Sequence, residues 1–487
     1  MKGIKTMGEK YIMAVDGGTQ STKVLIFDVK GNVVAEGRQK LRPMIAPEPR
    51  YQLHPDDDLW DSFVAACKMA LEGFKGDPKD IAGVGLCTIR CCRVIMKEDG
   101  SLAYPVIDWM DPRAYGPCDF PTSDFNYLTT TTGYFTKRLT GEFRDTAANN
   151  LYWQCPTDPV TWLWSDDDSK FDAFNMKRSQ MTELCMPSDV LGQVTGEASV
   201  ATGIPEGIPV IATANDKAVE ALGTGLMLGN LGLISLGTYS TGMMPADRLI
   251  MDNPVAFWSN FGCIPHRYLL ETRRGIHRGM WTVSWLSELL GGNISDEVGR
   301  RGVSVLELLN EEAAQVPAGS HGLITIPEWL VLNTNQPFKK GIMIGFDVRH
   351  GRAHMFRSLL EGIILKLYNG FSNMCNEAGI FPERLIASGG GSKGDTFVQI
   401  IADVFGLPVT RNEIEDAAGT GSAICAAVAT GIYPDFDAAA KAMVRVKDTF
   451  QPNMENHTVY KRLNDEVFRD FVKSTDPILE KTYEIFG

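Results

Sequence analysis

The sequence predicts an α/β protein built from two related halves around a shared cleft, and three observations predict it. At 487 residues the chain is too long for one hydrophobic core. Strand-like and helix-like apolar patterns alternate through its first 110 residues. A strand–glycine–hydroxyl–strand hairpin then occurs twice, as YIMAVDGGTQSTKVLIFD over 11–28 and LGLISLGTYSTGMM over 231–244. Thr19 and Thr238 stand 219 positions apart, close to half the chain, which is the trace a duplicated domain leaves.

Apolar runs at 11–15, 24–27, 33–36 and 81–87 read as strands. Between the last two, Leu59, Phe63, Ala66, Cys67, Ala70 and Phe74 recur at helical spacing. The acidic run Asp56 to Asp58 before them reads as a solvated helix start rather than a metal site. Residues 110–205 are aromatic and rich in loops. A strand at 208–213 leads through Asn215-Asp216 into a helix. In the second half, the strand beginning LIASGGGSKGD (385–395) is followed by the helix TFVQIIADVF (396–405). A short strand, LPVTR, and the small-residue helix AAGTGSAICAAVATG (417–431) come next. The domain boundary falls just before the second hairpin, giving domains 10–228 and 229–480.

A formal charge of −13 and a pI near 5.1 argue against nucleic-acid or anionic-membrane partners. MKGIKTMGEK lacks the apolar core of a signal peptide, and Ala417 to Pro434 is too weakly apolar to span a membrane. The expected compartment is the cytoplasm. The ten cysteines contain no CxxC pair. Cys87, Cys91 and Cys92 are close together, but with no histidine near them in a strand-like segment they read as reduced, packed thiols rather than a zinc site.

A glycine–hydroxyl turn offers a nest of backbone N–H groups for anions, and glycine lets phosphate oxygens approach closely. Thr19, Ser21, Thr22 and Thr238 add hydroxyl donors, and Lys23 adds charge. GxxxxGK[ST] is absent, GTGLMLG (223–229) lacks dinucleotide-binding spacing, and HExxH, HRD and GxSxG do not occur. Asp16 and Asp216 stand at strand ends. Phosphoryl transfer from ATP needs carboxylates for a metal and for a base, which would account for both. Asp216 also suits a helix N-cap.

These residues resemble the FGGY carbohydrate kinases, the family containing glycerol kinase and xylulokinase, from about residue 10 to 475. The likeness is nearest to an uncharacterised bacterial branch of sugar kinases. VDGGTQSTK is similar to the first phosphate motif, ISLGTYSTG to the second, and IASGGGSKGDTFVQIIADVFGLPV to the adenosine motif. GIMIGFDVRHGRAHMFRSLLEG (341–362) resembles the C-terminal signature, departing at Phe346 and Leu359. The resemblance implies two actin-like (ribonuclease H-like) domains closing on ATP and a sugar or polyol, with a homodimer plausible. It implies that Asp216 is the catalytic base and that Asp16 holds Mg²⁺ through water. Gly18, Thr19, Gln20, Ser21 and Lys23 would meet the transferred phosphate, Gly237 and Thr238 the ATP phosphates. Gly390, Gly391, Ser392 and Asp395 would lie at the nucleoside.

The substrate side departs from the family. Ile89-Arg90-Cys91-Cys92 stands where xylulokinases carry Gln-Met-His-Gly, while glycerol kinases have an arginine at the place of Arg90. Arg90 binds substrate hydroxyls or forms a structural salt bridge. VIDWMDPRA (106–114) resembles the WxDxR segment: Trp109 offers an apolar face, and Asp111 and Arg113 bind hydroxyls or pair with each other. Lys217, beside Asp216, joins the expected substrate residues. The rival readings are a nucleotide-gated actin-like ATPase and a sensor that binds sugar without turnover.

Overall fold

The computed structural model describes residues 9–48, 50–119, 127–250, 254–273, 275–292, 294–329 and 336–486. Two sheets organise them. In the first, β1 (Tyr11–Gly17), β2 (Ser21–Asp28) and β3 (Val33–Lys40) form an antiparallel meander. Strand β4 (Ile81–Thr88) lies parallel to β1 on its other side. Parallel β6 (Pro209–Asn215) and antiparallel β5 (Val190–Gln193) complete the order β5-β6-β4-β1-β2-β3.

The second sheet repeats the plan. Strands β7 (Leu231–Leu236), β8 (Ser240–Ala246) and β10 (Tyr268–Thr272) make the meander, with β9 (Phe257–Phe261) outside β10. Strand β11 (Arg384–Ser388) lies parallel to β7 and β12 (Val409–Asn412) parallel to β11, edged by antiparallel β13 (Val446–Phe450). A three-strand meander continued by two parallel crossover strands in each half is the actin-like topology. The expected strands are all present; β1 to β4 run one to four residues longer than their apolar cores, while the strand at LPVTR spans only Val409–Asn412.

Alternation in β1 explains why both faces of its sheet are dry. Met13 and Val15 face α1 (Asp58–Gly73), where Leu59, Phe63 and Cys67 are buried. Ile12 and Ala14 face the opposite way, into a core shared with the second half. The helix covering that face is α7 (Ala417–Ala429), which comes late in the chain. Its Ser422 donates to the Val15 carbonyl at 3.3 Å, and a side chain at Gly85 of β4 would collide with the Ser422 carbonyl. Its counterpart after β6 is α3 (Asp216–Gly223). The two helices cross with no room for side chains: a Cβ on Gly223 would lie 2.6 Å from the Gly421 amide nitrogen.

The acidic run before α1 is not a solvated end. Asp56 is exposed, but Asp58 is buried and accepts from the Arg42 amide at 2.8 Å and its Nε at 2.9 Å. Asp57 accepts from Arg138 at 2.8 Å and from the Tyr134 hydroxyl. These arginine and tyrosine partners come from β3's exit and from α2 (Thr131–Thr140), which a local pattern could not supply. In the signature segment, Phe346 is exposed and Leu359 fully buried. Among the described residues, no helix is long and apolar enough to cross a membrane.

Candidate active site

The first hairpin turns tightly: Asp16 registers with Lys23, and the Gly18 amide donates to the Ser21 carbonyl at 3.1 Å. Gly18 and Thr19 are half-buried, Gln20 is exposed, and Ser21 is buried with its Oγ accepting from Arg38 Nε. Lys23 Nζ sits 3.1 Å from Asp16 Oδ2 and 2.7 Å from Asp416 Oδ2. One ammonium is thus shared between the two halves of the chain. Burial works against that charge, but Asp16 and Asp416 outweigh it and hold Lys23 above its ordinary value. Burial pushes the Asp16 carboxyl up to about 6, opposed by Lys23 and reinforced by Asp416 and Asp216.

The heads of α3 and α7 are built alike. Asn215 Oδ1 accepts from the Ala218 amide at 3.0 Å, and Asp416 Oδ1 from the Gly419 amide at 2.9 Å. Asn215, not Asp216, is therefore the N-cap of α3. Asp216 is left with a buried Oδ1 that has no hydrogen-bond partner. Burial raises its pKa against the pull of Arg90 and Lys217, and Glu271 and Glu220 add to the rise.

Arg90 reaches this carboxylate from the end of β4, where Cys91 takes a left-handed φ of 63°. Its Nε is 3.9 Å from Asp216 Oδ1. Its two terminal nitrogens bind Glu271 of β10, Nη1 to Oε2 at 2.6 Å and Nη2 to Oε1 at 2.8 Å. Glu271 is 1 % exposed and also accepts from Asn260 Nδ2 at 3.2 Å. The salt bridge envisaged for Arg90 exists, and it spans the two domains. Lys217 turns away from Asp216, to Glu220 Oε2 at 2.9 Å and Ser235 Oγ at 3.1 Å.

Trp109 and Thr19 meet, the indole Nε1 donating to Thr19 Oγ1 at 3.1 Å. Asp111 does not reach the site. It is fully buried, accepting from the Gln52 amide and from Arg113 Nε and Nη2. Burial would raise its pKa, but the Arg113 guanidinium and these amides hold it below the ordinary value. Asp111 and Arg113 pair with each other.

The second hairpin is gripped from behind by α4 (Gly279–Gly291): the Gly279 amide donates to the Thr238 carbonyl at 2.9 Å and Met280 to Gly237 at 3.2 Å. The glycine turn after β11 lies beside it. Gly389 has φ +82°, and a Cβ there would sit 2.7 Å from the Leu236 carbonyl oxygen. Gly390 is exposed, while Gly391 is buried against Leu236 and Met280. Ser392 donates to the Gly389 carbonyl at 2.7 Å. Arg411 Nη1 holds the Ser392 and Lys393 carbonyls, and Nη2 binds Asp395. Between this turn and the head of α7 opens a pocket lined by Gly389, Ser392, Arg411, Glu415 and Ala417 among others.

All ten cysteines are free thiols, and Cys87, Cys91 and Cys92 are buried. The absence of a histidine near them was a matter of sequence only. His54, carried to Val106 by a backbone hydrogen bond, places Nε2 3.1 Å from Asp108 Oδ2, to which Cys92 Sγ lies at 3.8 Å. The sequence reading missed Asp416, Glu271 and Asn260. Asp416 had a signal, since Asp416 before AAGTG repeats the place of Asn215 before its helix. Glu271 and Asn260 sit in plain strands with no pattern to mark them.

The N-terminal-domain model of the FGGY family of carbohydrate kinases matches residues 11–126, and its C-terminal-domain model matches 232–430. A protein of Escherichia coli K12 described as an uncharacterized sugar kinase, YgcE, is 46% identical over 479 residues, covering 98% of this chain and 96% of that one. A xylulose kinase of Lactococcus lactis is 25% identical over 97% of this chain and 99% of its own. In fold, the gluconate kinase of Lactobacillus acidophilus aligns with a TM-score of 0.84 at 19% identity, over 98% of this chain and 100% of that one. With both halves matched and a near-full-length relative of this identity, the chain belongs to the FGGY family of carbohydrate kinases and is an ATP-dependent kinase.

Proposed function

We propose that the protein transfers the γ-phosphoryl group of ATP to a primary hydroxyl of a sugar or polyol, with Asp216 as the general base. The observation that carries this reading is the buried Asp216 Oδ1, left without a hydrogen-bond partner at the head of α3 because Asn215 does the capping. An acceptor hydroxyl would satisfy that atom and surrender its proton to it, a contribution of about 10²–10⁴-fold. Trp109 would give the acceptor an apolar face, and the outer N–H groups of Arg90 would orient its hydroxyls.

The nucleotide would lie with its base and ribose in the pocket beside Gly389 to Ser392, and its phosphates between the two glycine–hydroxyl hairpins. Asp16 and Asp416 share a single ammonium, and Asp16 is held near 6, so this donor set lacks positive charge and suits a hard cation. Asp16 would hold Mg²⁺ through water, and the ion would neutralise the phosphate oxygens during transfer. Water would be kept from the reaction by closure of the two domains. Ten free thiols and the need for ATP support a cytoplasmic reaction.

The names of the relatives suggest ketoses and sugar acids as the first acceptors to test, with polyols beside them. A coupled ADP-release screen, followed by mass identification of the product, tests the reading. Asp216→Asn should keep nucleotide binding and lose turnover by at least about 10²-fold. Turnover at the parental rate would refute the base.

A further inference from the structure

Glu271 lies in the second domain, yet its carboxylate is spent on a cation of the first. Both of its oxygens take terminal nitrogens of Arg90, and Asn260 Nδ2 holds one of them in place. The pair is bidentate and Glu271 is 1 % exposed, so the geometry is fixed and the charges are poorly screened. The same guanidinium presents its Nε to Asp216 Oδ1 at 3.9 Å, close enough for Coulomb attraction and too far for a hydrogen bond. Arg90 thus stands between two carboxylates, one on each domain, and is committed to the one on the second domain.

Resting on the reading of Asp216 as the base, we propose that Glu271 is a positioning residue that couples domain closure to the readiness of that base. With the domains apart, Arg90 has one carboxylate within reach and pairs with Asp216, blocking its lone pairs. When β10 brings Glu271 across, the guanidinium is drawn into the bidentate pair and Asp216 Oδ1 is released to the acceptor hydroxyl. The enzyme then has a competent base only in the closed arrangement, where ATP is already sequestered, which suppresses transfer to water. No bond is made or broken in this step; one ion pair replaces another.

Arg90 and Lys217 favour the ionised form of Asp216, while Glu271 and Glu220 oppose it, as does Asp16 on β1. Lys217 is already bound by Glu220 and Ser235. Cys87, Cys91 and Cys92 face Asp216 as thiols whose pKa burial raises, and Tyr239 faces Glu271 and Arg90 with its hydroxyl likewise raised by burial. Among the described residues, Glu271 is therefore the group bound to Arg90 whose neutralisation frees that guanidinium without touching Asp216.

The test is the pH profile of kcat for Glu271→Gln, with the full-length chain, saturating Mg-ATP and the best acceptor from the screen. The acid limb should move down by about one pH unit or more as the unshared guanidinium stabilises the Asp216 carboxylate, and kcat should fall at least about tenfold. ATP affinity, read by calorimetry, should stay within about twofold. In an Arg90→Gln background, Glu271→Gln should move the limb far less than it does in the parent, whereas a Glu271 that acts on Asp216 only through space would move it equally in both. Glu271→Asp, one methylene shorter, should give an intermediate limb and guards against a misfolded glutamine variant. An unmoved limb in both folded Glu271 variants overturns the coupling while leaving the base intact. Parental turnover by Asp216→Asn overturns the base itself and the coupling with it.

Discussion

Gly223→Ala puts one methyl group at the tightest place in the molecule, the crossing of α3 and α7. A Cβ there would lie 2.6 Å from the Gly421 amide nitrogen and nearer still to the Ala417 carbonyl oxygen. Ordinary contact needs about 3.5 Å, and the closer approach to the Ala417 carbonyl sets the displacement, so the helices must part by roughly 1.5 Å or more. Overpacking of this kind costs about 1–3 kcal/mol, offset by less than about 1 kcal/mol from the helix preference of alanine over glycine. The net expectation is a loss of about 1–2 kcal/mol in urea unfolding, followed by circular dichroism. Activity should fall further than stability. Asp216 heads one helix and Asp416 the other, so parting them displaces the base and the Lys23 site together, and a 1 Å misplacement can cost about 10²-fold. Gly73→Ala is the matched control: Gly73 ends α1 with nothing near its missing Cβ, and should be neutral or slightly stabilising. Parental stability and parental kcat in Gly223→Ala would refute the argument that this crossing sets the site.

Two further variants separate charge from catalysis. Asp16 is held near 6 against an ordinary 3.8, so its ionised form is penalised in the folded state; that penalty is absent below about pH 4, grows between about pH 4 and 6 and is constant above. Asp16→Asn should therefore abolish transfer yet stabilise the fold at pH 7 by about 1–3 kcal/mol, with the gain vanishing near pH 4 in thermal melts; a destabilised variant at pH 7 would contradict the sign. Arg411 ties down the Ser392 and Lys393 carbonyls, and Arg411→Ala should raise KM for ATP about tenfold or more while leaving KM for the acceptor unchanged, as steady-state kinetics will show.

The duplicated plan was legible because each half opens on the same apolar–glycine–hydroxyl–apolar hairpin, a pattern that local spacing alone can carry. The placement of Asp16, Thr19 and Asp216 at strand ends next to turns was legible for the same reason. Asp111, two positions from Trp109, read equally as a substrate ligand or as a partner of Arg113, and its pairing with the Gln52 amide and Arg113 is what the structure adds. Glu271 could not be read at all, because its meaning comes from an arginine 181 positions away. Asp58 failed similarly: an acidic residue at a helix start is ordinarily wet, and Arg42 folding over it is a tertiary event.

The lid on the first sheet's inner face is made last. A ribosome synthesising this chain finishes β6 at Asn215 and must add some two hundred residues more before α7, ending at Ala429, can seat itself between β1 and β4. Until then Ile12 and Ala14 have no cover from that side. The amino-terminal half therefore carries an uncovered apolar sheet face until the second half is complete, and splitting the gene between the two domains should yield a first fragment prone to aggregation unless the second is supplied alongside it.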